Sequence, residues 1–308
     1  MRSIRNTLTI LTIFFGTASY SQNTLSLTDL RCESMVNPIG ISELSPGFSW
    51  RIASSGRDVR QSGYHILVAD SEEKLRNNEG SCWDSKFVTS DVSVQIICQG
   101  AALQSEKRYF WKVKIRDQAG HESAWSETAW FQTGLLTTAD WGKARWIGYE
   151  NLPDSLKIVP GIHGYGDDLG TKGVKRSVVP MFRKEFEVRQ EIHNATLYIS
   201  GLGHYEASVN SGKVGQSFLA PGWTDYDKRC LYNTCDLTPQ LKQGKNVIGV
   251  VVGNGFYNIN RERYRKLVIA YGYPKMICKL KINYKDGTSE EIVSGTDWRC
   301  APSPIGYS

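Results

Sequence analysis

The segment Met276-Ile277-Cys278-Lys279-Leu280-Lys281-Ile282-Asn283-Tyr284 decides the fold class, because its apolar residues recur with a period of two. Every second residue from Met276 to Tyr284 is apolar or aromatic, and lysine or asparagine fills most of the positions between them. This alternation is typical of an antiparallel strand with one buried face. The turn Lys285-Asp286-Gly287 then leads into Glu290–Val293, so the pattern predicts a β-hairpin.

Similar short runs bounded by turn residues occupy the rest of the chain, and no long amphipathic helix interrupts them. We predict an all-β fold of two consecutive β-sandwiches, the first fibronectin type III-like (residues 24–135) and the second jelly-roll-like (residues 141–300). Within the second sandwich, the glycine-rich segment 151–180 is predicted to be a long surface loop. The main predicted strands are 48–52, 64–69, 92–98, 109–116, 128–132, 181–188, 195–200, 205–210, 246–252 and 276–284.

The first 21 residues have the pattern of a secretory signal peptide. Arg2 and Arg5 supply positive charge, residues 7–17 form an uncharged apolar segment, and Ser19 and Ser21 are among the small residues of a cleavage site. The apolar segment is too short to cross a bilayer, and no other segment reaches that length. We therefore predict an exported protein, periplasmic or extracellular, with no membrane partner once the signal is removed.

The net charge of +6 falls to +4 when Arg2 and Arg5 leave with the signal peptide. The remaining basic residues are scattered, and Lys112, Lys114 and Arg116 alternate with apolar residues. That spacing predicts one solvated face of a strand rather than a phosphate-binding patch. We therefore expect no nucleic-acid partner.

No residue pattern predicts a catalytic or metal centre. The seven cysteines are an odd number spread over the chain and are interpreted as small apolar residues, and the five histidines lack metal-ligand spacing. Calcium in the segment 161–168 is possible, but the spacing of a calcium loop is missing, so no cofactor is predicted. The adjacent carboxylates Asp167-Asp168 and Glu290-Glu291 are interpreted as solvated, because neighbouring side chains point apart on most backbones.

Three glycine-flanked segments, at residues 201–206, 221–226 and 253–258, combine aromatic, amide and carboxylate side chains at strand ends. Flat apolar faces beside short polar groups suit a sugar ring and its hydroxyls. The predicted carbohydrate site centres on Trp223. In the alternative, Trp223 plugs the end of the sandwich, Asp225 caps a turn, and residues 253–258 make a tight turn or face a neighbouring domain. The predicted contact residues are Trp223, Tyr205, Asp225, Asn254 and Tyr257.

Taken in order, short motifs along the chain resemble the N-terminal region of the bacterial α-L-rhamnosidases, a glycoside hydrolase family. One departure from the family pattern is Asn210-Ser211-Gly212-Lys213, where the glycine stands one position later. The motifs that carry the resemblance include Leu30-Arg31-Cys32-Glu33, Ser123-Ala124-Trp125-Ser126, Trp146-Ile147-Gly148, Gly201–Glu206, Pro221–Tyr226 and Gly253–Asn258.

The resemblance implies hydrolysis of terminal α-L-rhamnosyl residues by two carboxylates of a helical catalytic domain. We expect residues 301–308 to be a connector cut before that domain, so no catalytic residue is assigned and the chain alone should be inactive. The implied partners are rhamnose-containing glycans and the missing catalytic domain, with a role in substrate recognition or in packing against that domain. The alternative is a free-standing exported carbohydrate-binding or adhesion protein.

Overall fold

A computed structural model describes residues 25–154, 157, 178–259 and 269–305. The elements within residues 25–133 are β1 (Leu25–Cys32), β2 (Ile39–Ile41), β3 (Gly47–Ser54), β4 (Gln61–Ala69), α1 (Glu72–Arg76), β5 (Trp83–Asp84), β6 (Val88–Thr89), β7 (Ile96–Ile97), β8 (Arg108–Asp117) and β9 (Ala129–Thr133). The strands form two sheets that pack face to face. One has the order β1-β3-β7 and the other the order β2-β9-β8-β4, with β5 and β6 both paired to β4.

The core of this first sandwich is aromatic. Phe48 and Trp111 are fully buried from opposite sheets, with ring centroids 4.5 Å apart.

Two predictions for the first sandwich need correction. The predicted strand 92–98 is reduced to β7, because Gln95 has a φ of +53° and Val94 is 62% exposed. Lys112 is buried rather than solvated: its ammonium lies 4.9 Å from the Trp125 ring centre and donates to Asn78 Oδ1 at 2.6 Å.

The remaining strands form a second sandwich of two five-stranded sheets and a small separate pair, β17-β18. One sheet has the order β10-β19-β12-β15 with β20 paired to β19, and the other has the order β14-β13-β16-β11-β21. A 3-10 helix (Thr138–Trp141) precedes them. The strands are β10 (Ile147–Gly148), β11 (Pro180–Val188), β12 (Ile192–Leu202), β13 (His204–Val209), β14 (Gly212–Lys213), β15 (Asn233–Asp236), β16 (Gly244–Gly253), β17 (Asn258–Ile259), β18 (Ile269–Ala270), β19 (Lys275–Tyr284), β20 (Ser289–Val293) and β21 (Arg299–Pro302).

The core of the second sandwich confirms the period of β19. Its apolar positions from Met276 to Tyr284 belong to one core cluster with Leu197 of the adjacent strand β12 and with Phe182 and Val250 of the opposite sheet. The all-β prediction and the two β-sandwiches are thus confirmed, while the jelly-roll connectivity stays a prediction. Ala301 and Pro302, which the sequence assigns to a connector, are the last residues of β21, the edge strand that pairs with β11.

The two sandwiches meet through buried polar contacts. Gln132 of β9 donates to the Thr196 hydroxyl of β12 at 3.1 Å, and the Tyr232 hydroxyl bonds both the N–H and the C=O of Leu135, at 2.8 and 3.1 Å. The Lys279 ammonium, from the outer face of β19, lies 3.1 Å from the Glu106 carboxylate. The outer face of this sheet is therefore covered by the first sandwich rather than solvated.

Several predicted features lie outside the described residues, namely the signal peptide, most of the loop at 151–180, and Asp167 and Asp168. No described helix has the length and apolar character needed to cross a membrane. All seven cysteines are free thiols; Cys32, Cys98 and Cys278 are buried, whereas Cys230 and Cys300 are exposed. Cys230 lies before β15, so it does not share a strand with Cys235.

Candidate functional site

The three glycine-flanked segments converge at one end of the second sandwich. β13 pairs with β16 so that His204 lies opposite Gly253, and the Tyr205 N–H donates to the Ala220 carbonyl at 2.7 Å. The first and third segments are thus joined by a strand ladder, and the second is bonded to the first. The convergence expected from strand ends at one edge of a sheet is present.

Gly203 makes this close approach possible. It has a φ of +113°, and a Cβ at this position would lie 2.1 Å from the carbonyl oxygen of Gly253. Both the backbone conformation and the space exclude a side chain. The chain can therefore turn from β12 into β13 and pair at once with β16.

Trp223 is an exposed platform and not a plug of the sandwich. Its side chain is 60% exposed, and one face of its indole stacks on Phe256 with ring centroids 4.8 Å apart and an angle of 22° between the planes. Phe256 itself is 39% exposed, and the His204 ring meets it edge-on at 6.2 Å. Phe256 thus covers one face of the indole, while Trp223 as a whole stays largely exposed.

Phe256 was missing from the predicted contact residues. The signal that could have found it is its place between Gly255 and Tyr257 in the third segment. Gly255 has a φ of +50° and reverses the chain tightly against His204, so Phe256 is held at the outside of the turn. The sequence showed the turn but not the outward direction of this ring.

Asp225 lies beside the platform and is half exposed. Its carboxylate pairs with the Lys228 ammonium at 3.0 Å, and its backbone carbonyl accepts from the N–H groups of Lys228 and Arg229. The hydrogen bond from Lys228 lowers the pKa of Asp225, so the carboxylate is charged at neutral pH. Asp225 therefore closes a turn and also presents a carboxylate that can accept from a sugar hydroxyl.

The other three predicted contact residues are more enclosed than Trp223 and Asp225. Asn254 is buried and Tyr257 packs within a tyrosine cluster with Tyr226 and Tyr271, where burial raises the pKa of Tyr257 to about 12. Tyr205 is half-buried and donates its hydroxyl to Asn233 Oδ1 at 2.7 Å. The structure places these side chains where they support the loops that carry Trp223 and Phe256.

No three His, Cys, Asp or Glu side chains among the described residues are grouped to hold a metal ion. Glu290 accepts from the Tyr284 hydroxyl at 2.8 Å, whereas Glu291 pairs with Lys279 at 3.0 Å, so these two carboxylates serve different partners. Glu291 is 42% exposed, so it is solvated as predicted, and it also pairs with the buried Lys279.

The protein is thus of the class built from two consecutive β-sandwich domains, and the second domain carries the exposed Trp223–Phe256 platform. Residues 27–137 match the Rha78A-like, N-terminal immunoglobulin domain, and residues 190–308 match the α-L-rhamnosidase N-terminal domain. The chain carries the two N-terminal domains of the α-L-rhamnosidase family.

Individual α-L-rhamnosidases are similar to this chain in sequence and in structure. An α-L-rhamnosidase of Formosa agariphila is 37% identical over 291 residues, which cover 93% of this chain and 31% of that protein. The structure of an α-L-rhamnosidase from Dictyoglumus thermophilum superposes with a TM-score of 0.76 at 37% identity over 92% of this chain and 30% of that one. One from Aspergillus terreus gives 0.71 at 30% identity, covering 92% and 30%. The chain spans about a third of the length of the relatives it matches.

Proposed function

We propose that this chain is the non-catalytic N-terminal part of an exported α-L-rhamnosidase and that its second sandwich binds rhamnose-containing glycans. Membership of the family supplies the substrate class, and the two sandwiches correspond to a region of the relatives that makes up about a third of their length. Export rests on the signal-peptide pattern of residues 1–21. By itself the chain binds such a glycan without cleaving it.

The exposed stack of Trp223 on Phe256 is the observation that carries the proposal. Trp223 is 60% exposed and Phe256 is 39% exposed, so the stacked rings form a contiguous apolar surface rather than a single exposed residue. An indole face held flat by a second ring is preorganised to stack on the apolar face of a pyranose. The Asp225 carboxylate beside it supplies an acceptor for a hydroxyl.

Calorimetric titration with L-rhamnose and with an aryl α-L-rhamnoside tests this proposal. We expect weak binding that Trp223→Ala abolishes and that Trp146→Ala, at another exposed tryptophan, leaves unchanged. Near-ultraviolet circular dichroism verifies that both variants are folded. Binding that survives Trp223→Ala in a folded protein would place the site elsewhere, and no binding by the wild type would reject the proposal.

The lack of catalysis is tested with the same aryl rhamnoside. The adjacent carboxylates Glu290 and Glu291 are engaged with Tyr284 and Lys279. We expect no release of the aryl group above the rate in buffer. Turnover that a point substitution in this chain abolishes would contradict the assignment as a non-catalytic part.

A further inference from the structure

A groove of about 990 Å³ runs along the outer face of the sheet formed by β13, β16 and β11. Its floor consists of the outward positions of β16, which are small or apolar: Val247, Gly249, Val251 and Gly253. The loop that carries Phe218 and Leu219 forms one wall, and Val179 and Ile305 lie at the opposite edge. This volume is at the upper end of the range for small-molecule sites, so it exceeds what one sugar ring needs.

Gly249 in the floor is a specific sign of a close approach. A glycine in the middle of a central strand weakens that strand and is found where a ligand or another backbone comes near. A Cβ at Gly249 would meet the Ser208 hydroxyl at 3.3 Å and the Phe182 carbonyl at 3.9 Å, so a methyl group fits here with a small rotation of the serine. The fold does not require glycine at this position, and the groove is deeper because of it.

Polar side chains flank this glycine on both sides. Arg183 of β11 and Ser208 of β13 are the cross-strand partners of Gly249. The Arg183 side chain is 47% exposed and contacts Glu185 through Nη1 at 2.5 Å, which leaves further guanidinium donors for a ligand. The row therefore contains the Arg183 guanidinium, the open floor at Gly249 and the Ser208 hydroxyl. This mixture of polar groups and apolar floor suits the edge and face of a sugar ring better than it suits an apolar protein surface.

His204 connects the groove with the aromatic platform. His204 lines the end of the groove beside Gly253, and its ring is the one that meets Phe256 edge-on. Phe256 in turn stacks on Trp223. Tyr205, which was predicted to contact sugar, lines the same groove. The contact between His204 and Phe256 therefore joins the groove to the platform.

We propose that the groove and the Trp223–Phe256 platform form one extended site for an oligosaccharide, in which Gly249, Arg183 and Ser208 build a second sugar subsite. This inference rests on the proposed function and adds to it the length of the glycan. The platform binds one ring, and the groove binds the sugars that follow it.

The test is titration of the full chain with L-rhamnose and with α-linked rhamno-oligosaccharides of two to four residues. For the wild type, we expect affinity to increase by about tenfold or more from the monosaccharide to the longest oligosaccharide, the effect of one or two added hydrogen bonds. Gly249→Ala and Arg183→Ala should remove this gain and leave monosaccharide binding unchanged. Arg299→Ala, on the neighbouring β21 and outside the groove, is the matched control and should behave as the wild type.

The outcomes separate the two proposals. Equal affinity for oligosaccharides of all lengths, or an increase with length that both groove variants retain, would overturn the extended site. The proposed function would still stand if the monosaccharide binds through Trp223. Binding of no glycan at all would reject both and would leave the groove as a surface for a protein partner. If Gly249→Ala fails to fold, Arg183→Ala decides the result, because its side chain is exposed.

Discussion

The two outer faces of the second sandwich have the same kind of sequence and opposite surroundings. On β19 the outward lysines 279 and 281 alternate with core residues, as the outward Arg183 and Glu185 do on β11. The first sandwich covers β19, so the Lys279 side chain is 5% exposed, whereas that of Arg183 is 47% exposed beside an open groove. A period of two identifies which residues face away from the core, but not what they face.

The covered face is held by a matched charge network. The Lys279 ammonium contacts Glu106, Glu291 and the Asp140 carbonyl, the last at 2.8 Å. Burial by itself lowers the pKa of Lys279, but the hydrogen bonds that its ammonium donates to Glu291 and Glu106 outweigh burial, and the pKa is raised overall. A buried ion pair is strongly sensitive to the loss of one partner, and this makes the covered face the more fragile of the two.

The largest effect is expected for Glu106→Ala on the covered face. Loss of this carboxylate leaves the buried Lys279 with fewer partners and should reduce the free energy of unfolding by about 2–3 kcal/mol. Chemical denaturation measures the change, with the exposed Glu122→Ala as the control. The double variant Glu106→Ala/Lys279→Met should recover part of the loss, and a double variant less stable than the single one would contradict this account.

Tyr232→Phe should have an intermediate effect at the junction of the two sandwiches. The substitution keeps the ring but leaves the Leu135 N–H without its acceptor, at a cost of about 1–2 kcal/mol. Hydrogen exchange at the Leu135 amide should accelerate. Tyr205→Phe, whose hydroxyl bonds Asn233 within one sandwich, should not change that rate, and an unchanged rate in Tyr232→Phe would show that the contact does not hold the junction.

Alkaline pH should weaken the covered face and leave the open one unaffected. Because the pKa of Lys279 is raised in the folded state, its contribution is fully present below the unfolded value of about 10.4 and is lost as the pH rises through the folded value. Denaturation midpoints between about pH 8 and pH 11 should fall more for the wild type than for Lys279→Met. Parallel curves would mean that Lys279 contributes nothing.

The smallest effect is expected for Phe218→Ser on the wall of the open groove. This ring is 84% exposed and contacts the Lys213 ammonium at 4.4 Å, so its removal should change the free energy of unfolding by less than about 0.5 kcal/mol. Thermal denaturation measures it beside Tyr232→Phe. A loss greater than that of Tyr232→Phe would mean that the open face is stabilised as strongly as the covered one.

The local sequence pattern was sufficient to predict most strands but not to predict what their outward side chains contact. The alternation of residues 276–284 and 109–116 predicted β19 and β8, because a buried face imposes its period on the chain. The same pattern predicted a strand over 92–98, of which only Ile96–Ile97 forms, because Gln95 adopts a positive φ that the sequence did not indicate. It also treated Lys112 as solvated, although Trp125 covers it from a distant segment.

The sequence by itself determined the all-β class, the two sandwiches and the α-L-rhamnosidase resemblance, since periodicity and motif order are properties of neighbouring residues. Only the tertiary structure decided that Trp223 stacks on Phe256 at the surface while Tyr257 and Asn254 lie beneath it. It likewise decided that Lys279 is buried at a junction while Arg183 borders a groove. The physical reason is that burial and stacking depend on segments far apart in the chain, which the period of one strand does not encode.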